Sequence, residues 1–240
     1  MKRMSGRRRF ALFLALSKCS MLKSRMGIVE RRIREKQQRI NEILRAAKRI
    51  FGSKGYAGAT MSDIADSSEL GRRTLYMYFK NKEELSLAVA ASELREIASK
   101  FREIQRGPDA AYDRIVRMFD VYRALIEEDP GRFQFLLAFP DAARAVGADS
   151  EVLSECKEAL AEIVQSVASM LRTGRMDRTL EYPGDPDEVA ANMIFIIHSI
   201  AASSFQYRDQ LPSILGLSMQ ATISRSLDVV TSFLTQNLQG

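Results

Sequence analysis

The segment TMSDIADSSELGRRTLYMYFKNKEEL, residues 60–85, predicts two short helices around a tight turn, followed by the start of a third helix. Thr60 and Asp63 have the spacing of a reciprocal N-terminal cap, in which each side chain accepts a main-chain N–H of the other residue. Residues 68–71 combine serine and glycine and mark the turn. The pattern is that of a helix-turn-helix.

The second helix of this motif has one buried and one polar side. Leu75 and Phe79 repeat at i and i+4 and are expected to face inward. A helix-turn-helix places its second helix in the DNA major groove, where an arginine matches the two acceptors of guanine. The polar side carries the candidate base and phosphate contacts, which are Arg72, Arg73, Thr74, Tyr76 and Tyr78.

The next helix has its own start signal. Asn81 is expected to cap it, with Glu84 as the reciprocal partner. Thr60 and Lys82 lie at helix N-termini, where free N–H groups and a positive dipole favour a phosphate. Both residues therefore join the candidate DNA contacts.

These elements together resemble the TetR family of bacterial transcriptional regulators. The family pattern is an amphipathic helix ending in Phe, followed by Gly-Tyr, Thr, Ile-Ala, Thr-Leu-Tyr-x-Tyr-Phe and Lys-Glu-x-Leu. This chain matches it at Phe51, Gly55-Tyr56, Thr60, Ile64-Ala65, residues 74–79 and residues 82–85. The resemblance covers residues 37–89, and the rest of the chain is similar only in length and helical character.

Two positions in the turn depart from the family pattern. Glu69 stands where the family usually has Gly, and a non-glycine residue in a left-handed conformation costs roughly 1 kcal/mol. Gly71 stands where Ser or Thr usually opens the second helix, and Arg73 replaces a small residue. We expect the turn geometry and the operator sequence to be particular to this chain.

The resemblance implies a fold and an organisation. It implies an all-α chain with an N-terminal three-helix DNA-binding domain and a C-terminal helical domain for ligand binding and dimerisation. We place a basic, disordered extension at residues 1–27, the DNA-binding domain at 28–82 with its motif at 60–79, and the C-terminal domain at 83–240. The extension is either a basic arm or a stretch that precedes a start codon at Met21 or Met26.

The charge of the chain is divided in the same way. Residues 1–85 carry 21 Lys and Arg against 8 Asp and Glu, whereas residues 86–240 carry 15 against 22. The net charge of +6 is therefore the difference between a strongly basic end and an acidic remainder. A basic end next to an acidic body is typical of a protein that meets phosphates at one end.

Apolar periodicity predicts helices through the rest of the chain and no strands. Gly107-Pro108 ends the helix from Lys82, a short apolar helix follows Asp129 and ends at Pro140, and Gly174 ends a helix from Ser150. The last two helices begin at Asp185 and near Pro212 and run to about residues 208 and 238. They are apolar enough to form a four-helix interface with their mates in a homodimer, which the resemblance also implies; the alternative is that they complete the core of a monomer.

The resemblance also implies a pocket for a small-molecule effector in the C-terminal domain. His198 has three possible roles, as a hydrogen-bond donor in the pocket, a dimer-interface group or a core histidine. The methionines and aromatic residues favour a greasy ligand. The candidate lining residues are Phe119, Tyr122, Phe135, Phe139, Met170, Met193, Phe195 and His198.

Composition argues against several other classes of protein. Two cysteines and one histidine do not make a disulfide framework, a metal site or a histidine-based catalytic site, so we expect no enzyme, no metal and no cofactor. The apolar run at residues 10–16 is too short for a secretion signal, and we expect no membrane span and a cytoplasmic location.

The prediction is a homodimeric repressor that binds a palindromic operator and is released by a small hydrophobic effector. An activator of the same fold is one alternative. A sequence-tolerant architectural DNA-binding protein is another, and an enzyme or ligand carrier with a vestigial DNA module is a third.

Overall fold

The computed structural model describes residues 6–128, 143, 144, 146, 147 and 150–234, with side chains from residue 29 onward except those of residues 127 and 128. These parts of the chain contain α-helices and no strand, which confirms the all-α prediction for them. The expected helix ending at Pro140, with Phe135 and Phe139, lies outside the described residues. The helices are α1 (Gly6–Gly58), α2 (Met61–Ser67), α3 (Arg72–Tyr78), α4 (Lys82–Gln105), α5 (Ala111–Glu128), α6 (Glu151–Met176), α7 (Pro186–Gln206), α8 (Leu211–Leu215) and α9 (Met219–Phe233).

Helix α1 is longer at both ends than its sequence pattern indicated. It starts at Gly6, whereas we expected a disordered extension through residue 27, and the Ala- and Leu-rich run at residues 10–16 has the high helix propensity that this continuation requires. It also continues past Gly52 to Gly58. Gly55, with φ of 69°, makes a kink there, and this left-handed conformation is one that glycine adopts without strain.

Helix α4 is the central element of the molecule. Its first turns are buried on all sides from Leu85 to Ala91, because α1 packs against one side and α6 against another. Helix α6 in turn packs against α5 and α7, and α9 closes against α7 and α5. The hydrophobic core is therefore continuous from the helix-turn-helix into the C-terminal helices.

An ion pair joins α1 to α4 inside this core. The Glu93 carboxylate is 0% exposed and pairs with the ammonium of Lys48, whose side chain is 30% exposed. A buried carboxylate is tolerated only with a cation or hydrogen bonds close by, so the pair constrains how α1 lies on α4.

The C-terminal helices differ from the sequence pattern at three ends. Helix α6 does not end at Gly174 but continues to Met176. The glycine is needed because the Leu180 side chain packs directly against it, and a Cβ at this position would clash with Leu180 Cδ1. Asp185 caps α7 as expected, accepting hydrogen bonds from the N–H groups of the two residues after Pro186. Helix α7 ends at Gln206, two residues earlier than predicted.

The single last helix predicted from residue 212 is two helices. Gly216, with φ of 65°, ends α8 in a left-handed conformation, and Ser218 caps α9 by accepting a hydrogen bond from Ala221 N–H. Apolar periodicity ran through this break because Leu215 and Met219 are four residues apart, yet Leu215 is exposed.

One helix of the described chain, α7, is long and apolar enough to cross a membrane by length and composition, which we did not expect from the sequence. The core helix of a protein with no membrane span passes the same test. The apolar residues of α7 face the core, a cavity and a surface groove.

Substituting Lys48 with Met removes the cation paired with Glu93. We expect the free energy of unfolding to fall by about 3 kcal/mol, since the buried Glu93 carboxylate would lose the charge of this cation. Urea unfolding followed by circular dichroism measures this loss. The matched control is Lys100→Met, which breaks an exposed pair with Glu96 and should cost no more than about 0.5 kcal/mol. Equal losses in the two variants would contradict the role given to the buried pair.

Candidate nucleic-acid interface and effector cavity

The N-terminus of α2 is closed by the cap that the sequence predicted. Thr60 Oγ1 accepts a hydrogen bond from Asp63 N–H at 3.1 Å, and Asp63 Oδ2 accepts from Thr60 N–H at 3.0 Å. The Thr60 hydroxyl also donates to Asp63 Oδ2 at 2.7 Å, so both of these hydrogen bonds hold the helix start. Its phosphate contact stays a prediction.

Lys54 strengthens this cap from the end of α1. Its Nζ lies 2.7 Å from Asp63 Oδ1. This bond, together with those from Thr60, lowers the pKa of Asp63 to about 2. The carboxylate therefore remains ionised at neutral pH and ties the helix-turn-helix to the last turn of α1.

The turn between α2 and α3 has the left-handed residue that the sequence indicated. Glu69 has φ of 55°, and Gly71 has φ of −65°, so the strain falls on the glutamate. Ser68 Oγ donates to Ile64 O at 2.8 Å, which satisfies a carbonyl at the end of α2. Arg49 Nη2 donates to Ser67 O at 3.1 Å from α1 and holds the turn from outside.

Helix α3 presents the polar face predicted for a recognition helix. Leu75 is fully buried and Phe79 nearly so. Arg72 and Arg73 are exposed, and neither guanidinium pairs with an acidic side chain among the described residues. Both are therefore available to an external acceptor.

The other residues of α3 are exposed to different degrees. Tyr76 is half exposed, whereas Thr74 and Tyr78 are partly buried and Tyr78 packs against the core. Met77 is 79% exposed between the two tyrosines. An apolar side chain at this place matches the methyl group of thymine, and the sequence pattern gave no reason to select it.

Lys82 is already engaged within the protein. Its Nζ donates to Tyr56 O at 2.9 Å and to Ala59 O at 3.0 Å, and it lies 4.5 Å from the centre of the Tyr56 ring. The Tyr56 hydroxyl donates to Glu83 Oε1 at 3.2 Å, and burial together with this carboxylate raises the pKa of Tyr56 to about 12. Lys82 thus joins the end of α1 to the start of α4, and its contact with phosphate stays a prediction.

The cap of α4 differs by one residue from the predicted reciprocal pair. Asn81 accepts a hydrogen bond from Glu84 N–H at 2.7 Å, as expected. The Glu84 carboxylate accepts from Lys80 N–H at 2.6 Å instead of from Asn81 N–H. The extended backbone of Asn81 brings the preceding N–H within reach of Glu84.

A cavity of about 460 Å³ lies among α4, α5, α6 and α7. Five of the predicted lining residues lie on it, namely Phe119, Tyr122, Met193, Phe195 and His198. Met170 is fully buried but is not part of the lining, because it faces another part of the core. The sequence pattern missed the contribution of α4 through Leu94, Ile97 and Phe101.

Two of the seventeen described lining residues carry hydrogen-bonding side chains. Burial lowers the pKa of His198, so the imidazole is neutral at neutral pH. Burial raises the pKa of the Tyr122 phenol, which keeps its proton. The cavity is an apolar space with two uncharged polar groups.

A groove of about 540 Å³ lies on the other side of α7, against α9. Ile196 is 45% exposed and Val229 69% exposed on this side, and Phe195 is 70% exposed at the cavity mouth. The two C-terminal helices thus leave an apolar surface uncovered. A surface of this kind marks an interface or a ligand groove.

Comparison with known proteins agrees with this geometry. Residues 43–89 match the profile of the family described as "Bacterial regulatory proteins, tetR family". This segment contains the end of α1, the helix-turn-helix and the first turns of α4. Over this segment the chain is similar to the tetR family.

Two relatives with known names match this end of the chain. The HTH-type transcriptional activator FasR of Mycolicibacterium smegmatis is 28% identical over 101 residues, which are 42% of this chain and 46% of FasR. The HTH-type transcriptional repressor AcnR of Corynebacterium efficiens is 28% identical over 110 residues, 46% of this chain and 52% of AcnR. The chain matches about half the length of these relatives.

A solved structure extends the likeness to the C-terminal helices. The transcriptional regulator FadR from Bacillus subtilis, in complex with stearoyl-CoA, has a TM-score of 0.60 and 18% identity, covering 80% of this chain and 98% of that chain. At this identity the comparison shows a shared fold.

Substituting Asp63 with Asn tests the cap at the helix-turn-helix. The folded-state pKa of Asp63 is below its ordinary value, so its ionised form stabilises the fold above about pH 4, and this contribution is lost as the pH falls to about 2. We expect a lower urea midpoint for Asp63→Asn at neutral pH, and a difference from the original chain that shrinks through that acid range. Asp66→Asn, on the same helix, is the control and should leave the midpoint unchanged. A difference that did not change with pH would exclude the ionised cap.

Proposed function

We propose that this protein is a homodimeric transcriptional repressor in the bacterial cytoplasm, which binds a palindromic operator and is released by a small apolar effector. The observation that supports it best is that Arg72 and Arg73 are exposed on the second helix of a capped helix-turn-helix, and that neither pairs with an acidic side chain in the part of the chain that the structure describes. Guanidinium groups at the start of a recognition helix match guanine acceptors in the major groove. We assign Arg72, Arg73 and Thr74 to base reading.

The remaining DNA contacts are assigned to the phosphate backbone. Tyr76 is exposed enough to reach a phosphate or a thymine methyl, and Thr60 lies at the start of α2. Lys82 has one ammonium donor left after its two main-chain bonds. Most protein–DNA hydrogen bonds go to the backbone, and they set register without reading sequence.

The homodimer is proposed to form through α7 and α9. Their uncovered apolar side chains would be costly to leave in water and match the composition of an interface core. Two recognition helices related by a two-fold axis read two half-sites one helical turn apart. One module alone makes too few contacts for the specificity of an operator.

The effector is proposed to occupy the cavity among α4, α5, α6 and α7. Its volume lies in the range of small-molecule sites, and its lining is almost wholly apolar. FadR, which shares this fold, was crystallised with stearoyl-CoA, a long-chain acyl thioester. A ligand that prefers a conformation with displaced recognition helices would lower operator affinity about 5- to 150-fold for a coupling of 1 to 3 kcal/mol.

Selection of bound sequences from random DNA by the purified chain tests the proposal. We expect enrichment of one palindromic sequence, repression of a reporter carrying it, and release in the presence of a lipid extract. Binding without enrichment of any sequence would favour an architectural DNA-binding protein. Activation of the reporter would show that the protein is an activator and not a repressor. Failure to retard any DNA would exclude both.

Arg72→Ala should relax the preference for the selected base at one position of each half-site. A bidentate arginine–guanine contact contributes about 1–3 kcal/mol of discrimination, so the affinity ratio between the operator and a single-base variant should fall about 5- to 150-fold. Fluorescence anisotropy at fixed salt measures this ratio. The control Arg208→Ala, in the C-terminal domain, should leave it unchanged. An intact ratio in Arg72→Ala would refute its base-reading role.

Val229→Asp should disrupt the homodimer by placing a charge on the uncovered face of α9. Val229 is 69% exposed in the single chain, so the substitution should spare the folding of the protomer. Light scattering after gel filtration should show monomers, and the affinity for the operator should fall because the two half-sites are no longer bound by one dimer. Met176→Asp is the matched control, because Met176 is 78% exposed at the end of α6. A dimer that survives Val229→Asp would place the interface elsewhere.

A further inference from the structure

The cavity and the groove share one wall, which is helix α7. The residues of α7 that line only the cavity form one stripe with helical spacing, and they are Ala191, Ile194, Phe195, Ile197 and His198. Those on the groove side follow a second stripe, Val189, Asn192, Ile196 and Ile200. The two stripes meet at one position.

That position is Met193. Of the described residues that line either void, Met193 alone lines both. It is 5% exposed, so its thioether fills the space between the cavity and the groove. A methionine has three rotatable bonds and adapts to irregular gaps. The Met193 side chain therefore forms a partition between the cavity and the groove that can move while the backbone of α7 stays in place.

The lining also limits the chemistry of the ligand head. It holds no Lys, Arg, Asp or Glu among the described residues, and its two polar groups are the neutral imidazole of His198 and the phenol of Tyr122. An ionised carboxylate placed in such a space would have no counter-charge and would lose its hydration. A hydroxyl or a carbonyl would instead find a hydrogen-bond partner.

We propose that the cavity binds a single-chain amphiphile with an uncharged hydrogen-bonding head, and that Met193 sets the longest chain it accepts. The inference rests on the proposed function and deepens it, since it names the ligand class of the effector cavity. The head lies at Tyr122 and His198, and the chain runs toward Met193. A longer chain meets the Met193 side chain, which separates the cavity from the groove between α7 and α9.

Calorimetric titration of the full chain with straight-chain primary alcohols, from hexanol to tetradecanol, tests the proposal. Affinity should rise about fourfold with each methylene, because each buried CH₂ contributes a similar hydrophobic increment, and the rise should stop where the chain reaches Met193. The fatty acid of the same length should bind at least about tenfold more weakly at neutral pH. Acids that bind more tightly than alcohols would overturn the uncharged head.

Met193→Ala should move the stopping point to chains about three carbons longer, because the substitution removes three heavy atoms from the partition. Met170→Ala is the matched control: it removes the same atoms from a fully buried methionine outside the lining, and should leave the stopping point unchanged. Should Met193→Ala fail to fold, Met193→Ile places a side chain with a stiff χ1 at the partition. In Met193→Ile, the affinity should fall more steeply with each carbon added beyond the stopping point than it does in the unsubstituted protein.

The outcomes separate this inference from the proposed function. If alcohols bind, but both Met193→Ala and Met170→Ala stop gaining affinity at the same alcohol length as the unsubstituted protein, the role of Met193 is wrong. The proposed effector cavity would then be retained. If no alcohol or acid binds to a chain that still selects a DNA sequence, the ligand class and the effector cavity are both wrong, and the DNA-binding function stands.

Discussion

The buried pair of Lys48 and Glu93 is the constraint on which the arrangement of the two ends of the molecule depends. Glu93 is fully enclosed, so its carboxylate needs a nearby cation, and that cation comes from α1. Helix α1 therefore cannot slide along α4 without exposing or unpairing a charge. The bond from Lys82 to the last turn of α1 adds a second tie at the start of α4. These two ties join α1 to α4 at two separate places, Glu93 and Lys82.

Helix α4 also supplies one wall of the cavity. Leu94, Ile97 and Phe101 line it, beginning one residue after Glu93. A ligand that displaces these side chains acts on the same rigid helix that holds α1 through Glu93 and Lys82. Coupling between the cavity and the recognition helices then requires no long chain of contacts, because one element has contacts with both. In the proposed mechanism, the size of this coupling would be set by how differently an effector binds two conformations of the protein.

The features predicted well from the sequence are those that depend on neighbours within a few residues. The caps by Thr60, Asn81 and Asp185 accept hydrogen bonds from main-chain N–H groups two or three positions away, so spacing alone indicates them. The left-handed turn at Glu69 was equally local. The predictions are wrong where two local signals compete. Apolar periodicity predicts one continuous last helix, whereas Gly216 ends α8. A glycine also predicts a helix end at Gly174, whereas this glycine lies inside α6 and leaves room for Leu180.

The candidate site was harder to predict because its contacts join distant parts of the chain. Nothing near Lys82 in sequence indicates that its ammonium reaches the carbonyls of Tyr56 and Ala59, and nothing near Arg49 indicates that it holds the turn at Ser67. Chain position and residue type identified Phe119 and Met193 as cavity residues but could not separate them from Met170, which shares their chemistry and faces elsewhere.

Helix α7 shows why composition leaves several readings open. Its apolar residues satisfy the length and hydropathy of a membrane span, yet they have three different surroundings in the structure. Ala190 and Ala201 are in the core, Ile194 and His198 face the cavity, and Ile196 faces the groove. A helix that borders the core, the cavity and the groove has apolar residues on each of these three sides. Its uniform apolarity thus follows from three adjoining apolar surfaces, and Met193 lies where two of them meet.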